Sequence, residues 1–588
     1  MAWQTSATAA STVAGRIRLL RLLPAGGGAL LALLQLVRAV MPALTAVAVG
    51  GLVTALYRNQ GVRAAAWAAG LVAGLFLVDQ VAWLMITPLR TLVVKRIDGE
   101  LRARLRELAI GLPGLEVLES TDFQDRAARA VDAGMGLDRE RSAGAAATGQ
   151  LELMLRMVSA LAAAAVLARF SVPLAVAVLG VALAIRAVLR RQWLGIVDTL
   201  DADTAGQRYE HYLGTQAVMG AAKDVRLYGL SDWFAGRFRA TAVRTYGPTW
   251  RRMLRVLRRQ WGIFAASLLA GAAVLALPAV AALHGRITPG ELITYVLAGL
   301  GVLAISAMGN EAFDIEYGLR GVADADALVE AYGKGQAQPT TRPDSSPPGL
   351  IFDDVVFHYP GAERAVLDGL TLRIAPGSVV AIVGENGAGK TTLVKLLAGL
   401  YRPSAGTITV GGVEPRVTRP AVTVLFQDFV RYPSSLRDNV TGASGGDDAA
   451  VREALDRAGA SSLPAGLETL LWREGADGTD LSGGQWQRVA LARALYAVST
   501  GRRLLVLDEP TANLDVRAEA SFHEEVVSQV RDTTTILISH RMSTVRFADR
   551  IVVLDGGRVA EDGDHDALMA LGGRYATFFR TQAEAFRA

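Results

Sequence analysis

The sequence predicts a multidomain chain: an all-α polytopic membrane domain of six transmembrane helices, followed by an α/β domain of the P-loop NTPase type. Three observations carry that prediction. Apolar stretches concentrate before about residue 310, while the remainder has an ordinary soluble composition. In that remainder, short β-branched runs alternate with helical stretches, the pattern of a mostly parallel sheet with buried strands. One of these runs, Val379–Val383, leads into Gly-Glu-Asn-Gly-Ala-Gly-Lys-Thr-Thr, a complete phosphate-binding loop.

At 588 residues the chain exceeds what a single hydrophobic core supports. Hydrophobic residues make up 51% and charged residues only 20%, a balance that points to membrane segments. The net charge is +5, and the arginines cluster beside apolar stretches, where they fix topology and meet anionic lipid; no nucleic-acid partner is expected. With 0 cysteines, disulfides, thiolate metal sites and a cysteine nucleophile are excluded. The six histidines (His211, His284, His358, His523, His540, His565) show no metal-ligand spacing. Arg16, Arg18 and Arg21 precede a long apolar segment without a small-residue cleavage pattern, which reads as a signal anchor.

A helix needs roughly 20 apolar residues to cross a bilayer. Six stretches qualify, at about 27–56, 64–89, 148–168, 171–190, 261–284 and 287–308. They are rich in Ala, Leu, Val and Gly, and the small residues among these let helices approach closely in lipid. The links after spans one, three and five are short. Those after spans two and four are long and basic, with Arg90, Lys95, Arg96, Arg102, Arg104 and Arg106 in the first, and Arg190, Arg191 and the stretch Arg237 to Arg259 in the second. The positive-inside rule therefore puts both termini and both long loops in the cytoplasm of a multi-pass cell-membrane protein. Arg38 in span one and Asp79 in span two lie at nearly matched depth, counted from the short loop at Gln60. A lone charge at mid-membrane costs roughly 2.5–3.5 kcal/mol, so a structural ion pair or the wall of a wet cavity is expected there. The domain limits follow: 1–325 for the membrane domain, 326–348 for a linker ending in a Pro/Ser/Gly-rich tract, and 349–588 for the nucleotide-binding domain.

Within the loop, Gly384, Gly387 and Gly389 let the backbone wrap a phosphate, and Glu385, Asn386, Ala388 and Thr392 complete the cradle. The following helix adds the partial positive charge of its N-terminus. Lys390 is expected to reach the β and γ phosphates of ATP, and the Thr391 hydroxyl to hold Mg2+. Further on, Leu504–Leu507 ends in Asp508, a carboxylate placed to reach the metal, and Glu509 follows as the candidate base for the attacking water.

With Leu481-Ser482-Gly483-Gly484-Gln485 between these motifs, the second half resembles the nucleotide-binding domain of ATP-binding cassette (ABC) transporters, and the first half the six-helix domain of an exporter-type half-transporter. The resemblance implies further roles. Tyr359 would stack on adenine, and Gln427 would touch Mg2+ and sense the membrane domain. Ser482, Gly483, Gly484 and Gln485 would cap the γ-phosphate bound to a second subunit. Asp515 would cross the dimer interface, and His540 would contact the γ-phosphate and join Glu509 and Lys390 in catalysis. One departure stands before the signature, where Trp472 to Gly478 replaces the Glu-Arg-Gly type of run seen in many multidrug exporters. The long loops would carry coupling helices, around Leu112 to Ala130 and His211 to Gly229.

The function so implied is ATP-driven export of a small amphipathic molecule, peptide or lipid by a homodimer or heterodimer of half-transporters. Import through the same architecture, as in some siderophore transporters, and an ATP-gated channel are the alternatives.

Overall fold

The computed structural model describes residues 13–131, 142–201, 204–215, 221–258, 260–309, 311–333, 346–442, 445–461, 463, 466–472, 478–510 and 532–585. It divides into two compact units: residues 1–108 with 124–333, and residues 109–123 with 334–588.

The first unit is helical. Its described helices include six long and apolar enough to span a membrane, beginning at Ala25, Val62, Ala143, Val172, Trp261 and Pro289. Exposed apolar side chains such as Phe76, Leu77 and Leu84 on span two, and Leu268 and Leu269 on span five, suit lipid rather than water. Close packing comes from small residues. A Cβ added at Gly50 in span one would lie 1.8 Å from the Thr294 Oγ1 of span six, and one at Gly290 would lie 2.2 Å from the Gly50 carbonyl oxygen. Thr288 opens span six with a capping box to Glu291, and Pro289 takes the first helical turn, where its missing N–H is harmless.

Arg38 and Asp79 meet as an ion pair, with Nε 3.2 Å from Oδ1. Beyond span six, the helix Glu311–Tyr332 holds buried carboxylates. Glu311 is buried, 2.8 Å from Arg156 and 3.1 Å from Arg186. Glu316, also buried, pairs with Arg190 and lies 3.6 Å from Arg16. That helix runs to Tyr332, into the stretch assigned to the linker, and the first strand of the second unit starts at Leu350.

The second unit has two sheets. Strands β1 (Leu350–Phe357), β2 (Leu367–Ile374) and β4 (Ala405–Val410) form an antiparallel sheet in the order β2-β1-β4. The larger sheet has the order β5-β6-β7-β3-β8-β9, from β3 (Val379–Gly384), β5 (Val422–Leu425), β6 (Leu504–Asp508), β7 (Thr534–Ile538), β8 (Arg550–Asp555) and β9 (Arg558–Gly563). Strands β5, β6, β7, β3 and β8 are parallel, and β9 pairs antiparallel to β8. Alternate residues of β3 enter two cores: Val379, Ala381 and Val383 join the one around Trp486, whereas Val380 and Ile382 join the one around Phe352.

Candidate functional site

In an open α/β sheet, the loops leaving the carboxyl ends of neighbouring parallel strands gather in one crevice. Here β3 ends in the phosphate loop, β7 is followed by His540, β6 ends in Asp508 and leads to Glu509, and β5 leads to Gln427. The register aligns Ile382 and Asp508 on Ile538 from either side, so the three central loops leave at one level.

Gly384 has a φ of 154°, and a Cβ there would come within 2.4 Å of the Leu554 carbonyl oxygen, so no other residue fits. Lys390 opens the helix Lys390–Leu397 and donates to the loop carbonyls of Gly384 and Glu385 at 2.7 and 2.9 Å. Burial lowers the Lys390 pKa, opposed by the charges of Glu509 and Asp508. Thr391 Oγ1 donates to Asp508 Oδ2 at 3.3 Å. Thr392 and Ala388 are both buried, and the Thr392 hydroxyl lies 3.1 Å from the Tyr359 hydroxyl.

Asp508 is buried and its pKa is pushed up to about 6, chiefly by desolvation. It lines a cavity of 220 Å³ with Gln427, Asp428, Gln487 and Glu509. Glu509 takes a left-handed φ of 52°, and its Oε1 lies 3.1 Å from His540 Nδ1. Lys390, Thr391, Gln427, Asp508, Glu509 and His540, expected from separate motifs, thus share one edge. Among the described residues no group of three His, Cys, Asp or Glu side chains could hold a metal alone. The neighbouring hydroxyl, carboxylate and amide oxygens are hard donors that suit Mg2+ whose remaining ligands are phosphate and water oxygens.

Ser482 caps the helix Gly483–Ser499, and a reciprocal capping box joins it to Gln485. Each side chain accepts from the other residue's backbone amide, so the motif presents a helix N-terminus that carries Gly483 and Gly484. Asp515 lies outside the described residues, as do Arg473–Asp477 of the altered run.

Two positioning residues escape sequence reasoning. Buried Gln487 donates to the Glu509 and Pro510 carbonyls at 3.3 and 2.6 Å, pinning the backbone that carries the candidate base. Gln582, in the C-terminal helix Arg574–Ala585, donates to the His540 carbonyl and accepts from the Met542 amide at 3.0 Å. The first has a weak local signal, lying two residues beyond the signature; the second has none.

Within the first unit, a cavity of 440 Å³ is lined by Gln35, Arg38, Trp83, Arg90, Glu152 and Arg156, among others. Glu152 accepts from Arg90 at 3.3 Å and lies 3.8 Å from Arg156.

Comparison with known proteins bears on the family of the second unit and on the fold. Residues 367–512 match the family model described as ABC transporter. Across 94% of this chain and 97% of the other, the fold matches the solved structure of a bacterial Atm1-family ABC exporter with ATP bound, at a TM-score of 0.67 and 24% identity. The matched segment is an ABC transporter domain, on a chain with the fold of an ABC exporter. Relatives of this chain include an ATP-dependent lipid A-core flippase of Chromobacterium violaceum, 36% identical over 53% of this chain and 54% of the relative. The flippase of Burkholderia orbicola is 34% identical over 62% of each chain. The mycobactin import ATP-binding/permease protein IrtB of Mycolicibacterium smegmatis is 38% identical over 45% of this chain and 46% of its own length. The chain thus spans about half to three-fifths of the length of the curated relatives it matches.

Proposed function

We propose that this chain is a half-transporter that hydrolyses ATP to drive export of a small amphipathic molecule, peptide or lipid, working as a dimer with two composite ATP sites. The observation that carries the reading is the contact of Glu509 with His540 beside the Thr391–Asp508 pair, at the edge where the phosphate loop opens. In it, Lys390 and the loop amides bind the phosphates, Tyr359 stacks on the base, and Glu509 takes the proton of the attacking water while His540 orients it. Mg2+ held by Thr391, Gln427 and Asp508 would neutralise charge on the phosphate oxygens. The small-residue helix N-terminus at Ser482–Gln485 suits the γ-phosphate of a nucleotide bound to a second chain. Both termini and the second unit are placed in the cytoplasm, on the arginine-rich loops. The charged, tryptophan-bearing cavity of the first unit is a candidate transport site.

Import is the second reading, drawn from the IrtB relatives. The direction is tested with ATP supplied to inside-out and right-side-out vesicles: export predicts ATP-driven accumulation inside the former, import the reverse. The two-chain site is tested by mixing Lys390→Ala and Ser482→Arg proteins. Each lacks a different half-site, so mixed dimers should regain one working site, and full-rate hydrolysis by a stable monomer would contradict the composite site.

A further inference from the structure

The second unit includes a piece of the first long loop, residues 109–123, and the way it is bound points past the phosphate chemistry. Leu115 N donates to the Leu400 carbonyl at 2.8 Å, and Arg402 N to Glu116 Oε1 at 2.8 Å. Glu116 also accepts from Arg416, which is buried, and Arg419 donates to the Pro113 carbonyl. Gly114 is closely enclosed: a Cβ there would lie 2.7 Å from Arg416 Nη2 and 3.0 Å from the Leu400 carbonyl oxygen. Between the two acidic anchors stands Tyr401, only 2% exposed, whose hydroxyl donates to the Glu119 carboxylate.

Tyr401 is at the same time part of the aromatic group that holds Tyr359. The Tyr401 and Tyr359 rings meet edge to face, with centroids 5.5 Å apart at 83°, and Phe357 packs edge-on against both at 5.5 and 5.0 Å. The Lys395 ammonium lies over both tyrosines, 5.3 Å from the Tyr359 centroid and 5.9 Å from that of Tyr401. On its far side Tyr359 is tied by its hydroxyl to Thr392 in the first turn of the phosphate-loop helix. A continuous set of contacts therefore runs from Glu119 through Tyr401 to Tyr359. Burial and the bond to Glu119 hold the Tyr401 phenol well above its ordinary pKa, so it remains a neutral donor across the physiological range.

We infer that Tyr401, fixed by Glu119, is a positioning residue for the nucleotide base: it sets the orientation of Tyr359, and thereby links the docked loop segment to affinity for the adenine end of ATP. This rests on the assignment of Tyr359 as the base-stacking ring. The segment is continuous in sequence with the helix of span two, Val62–Gly111, so movement of that helix has a route to the base that does not pass through Gln427 or the γ-phosphate. Shifting Glu119 tilts Tyr401, and an edge-to-face neighbour cannot tilt without displacing its partner in a close-packed cluster.

The test is equilibrium binding of ATP and of inorganic tripolyphosphate, both with Mg2+, to the full chain in lipid nanodiscs. Tyr401→Phe keeps the ring and removes the tether; Glu119→Ala removes the acceptor, and Glu119→Gln keeps one. The expected result is that Tyr401→Phe and Glu119→Ala weaken ATP about three- to tenfold and leave tripolyphosphate unchanged, with Glu119→Gln close to wild type. In a Tyr359→Ala background, Tyr401→Phe should change ATP affinity by less than about twofold, since the ring it positions is gone. Equal losses for the two ligands, or an undiminished loss in that background, would overturn the link while leaving base stacking intact. Wild-type protein binding ATP no more tightly than tripolyphosphate would overturn the stacking assignment itself, and the link with it.

Discussion

Glu509 holds a left-handed backbone, φ 52°, which costs a side-chain-bearing residue roughly 1–3 kcal/mol and persists only where its surroundings enforce it. The enforcement is visible: its amide donates to the Ile538 carbonyl at 2.9 Å, and Gln487 holds its carbonyl. Gln487→Ala should therefore lower kcat about tenfold or more with little change in KM, because the base is misplaced while the phosphate loop is untouched; steady-state kinetics checks this. Asp508 supplies a pH prediction. Its folded pKa, about 6, lies above the ordinary 3.8, so folding favours the protonated acid. That contribution is full below pH 3.8 and is lost as pH rises through about 6, on the order of 2–3 kcal/mol in all. Nucleotide-free Asp508→Asn should accordingly gain thermal stability relative to wild type between pH 4 and pH 7. Melting curves of both proteins at each pH would show it, and a constant gap would remove the shift.

The helices of the first unit are held by two devices of different origin. Gly50 and Gly290 let spans one and six touch backbone to backbone, so Gly50→Val should prevent that approach and lower the folded yield in membranes. The Arg38–Asp79 pair bridges spans one and two. Either single change to Ala leaves an uncompensated charge and should lower yield and thermal stability, whereas Arg38→Asp with Asp79→Arg should partly restore both. Normal stability of both single variants would assign these residues to the cavity wall instead. The same comparison shows what is legible before folding. The spans, the five main strands and the phosphate loop are written in consecutive residues, by apolar length, β-branching and glycine spacing. The Arg38–Asp79 pair is readable because a short loop fixes the relative depth of two antiparallel spans. The sheet β2-β1-β4, the ion pairs of Glu311 and Glu316, and the hold of Gln582 on the His540 loop join residues far apart in sequence, with no periodicity to announce them. A coupling helix around Leu112 to Ala130 is expected from the resemblance, but its partners, Leu400 to Arg419, lie nearly three hundred positions away and nothing in the sequence picks them out.

For the whole molecule, the phosphate loop, Gln427, the signature helix, Asp508–Glu509 and His540, drawn from the entire second half, form one proposed engine, with Glu509 as the base of ATP hydrolysis. The most direct measurement is Mg2+-ATP turnover by the purified full chain in lipid, beside nucleotide binding, for wild type and Glu509→Gln. The predicted result is binding preserved and turnover lowered at least about a hundredfold, the contribution expected of a positioned general base. Turnover near the wild-type rate in Glu509→Gln would remove Glu509 from the role of base.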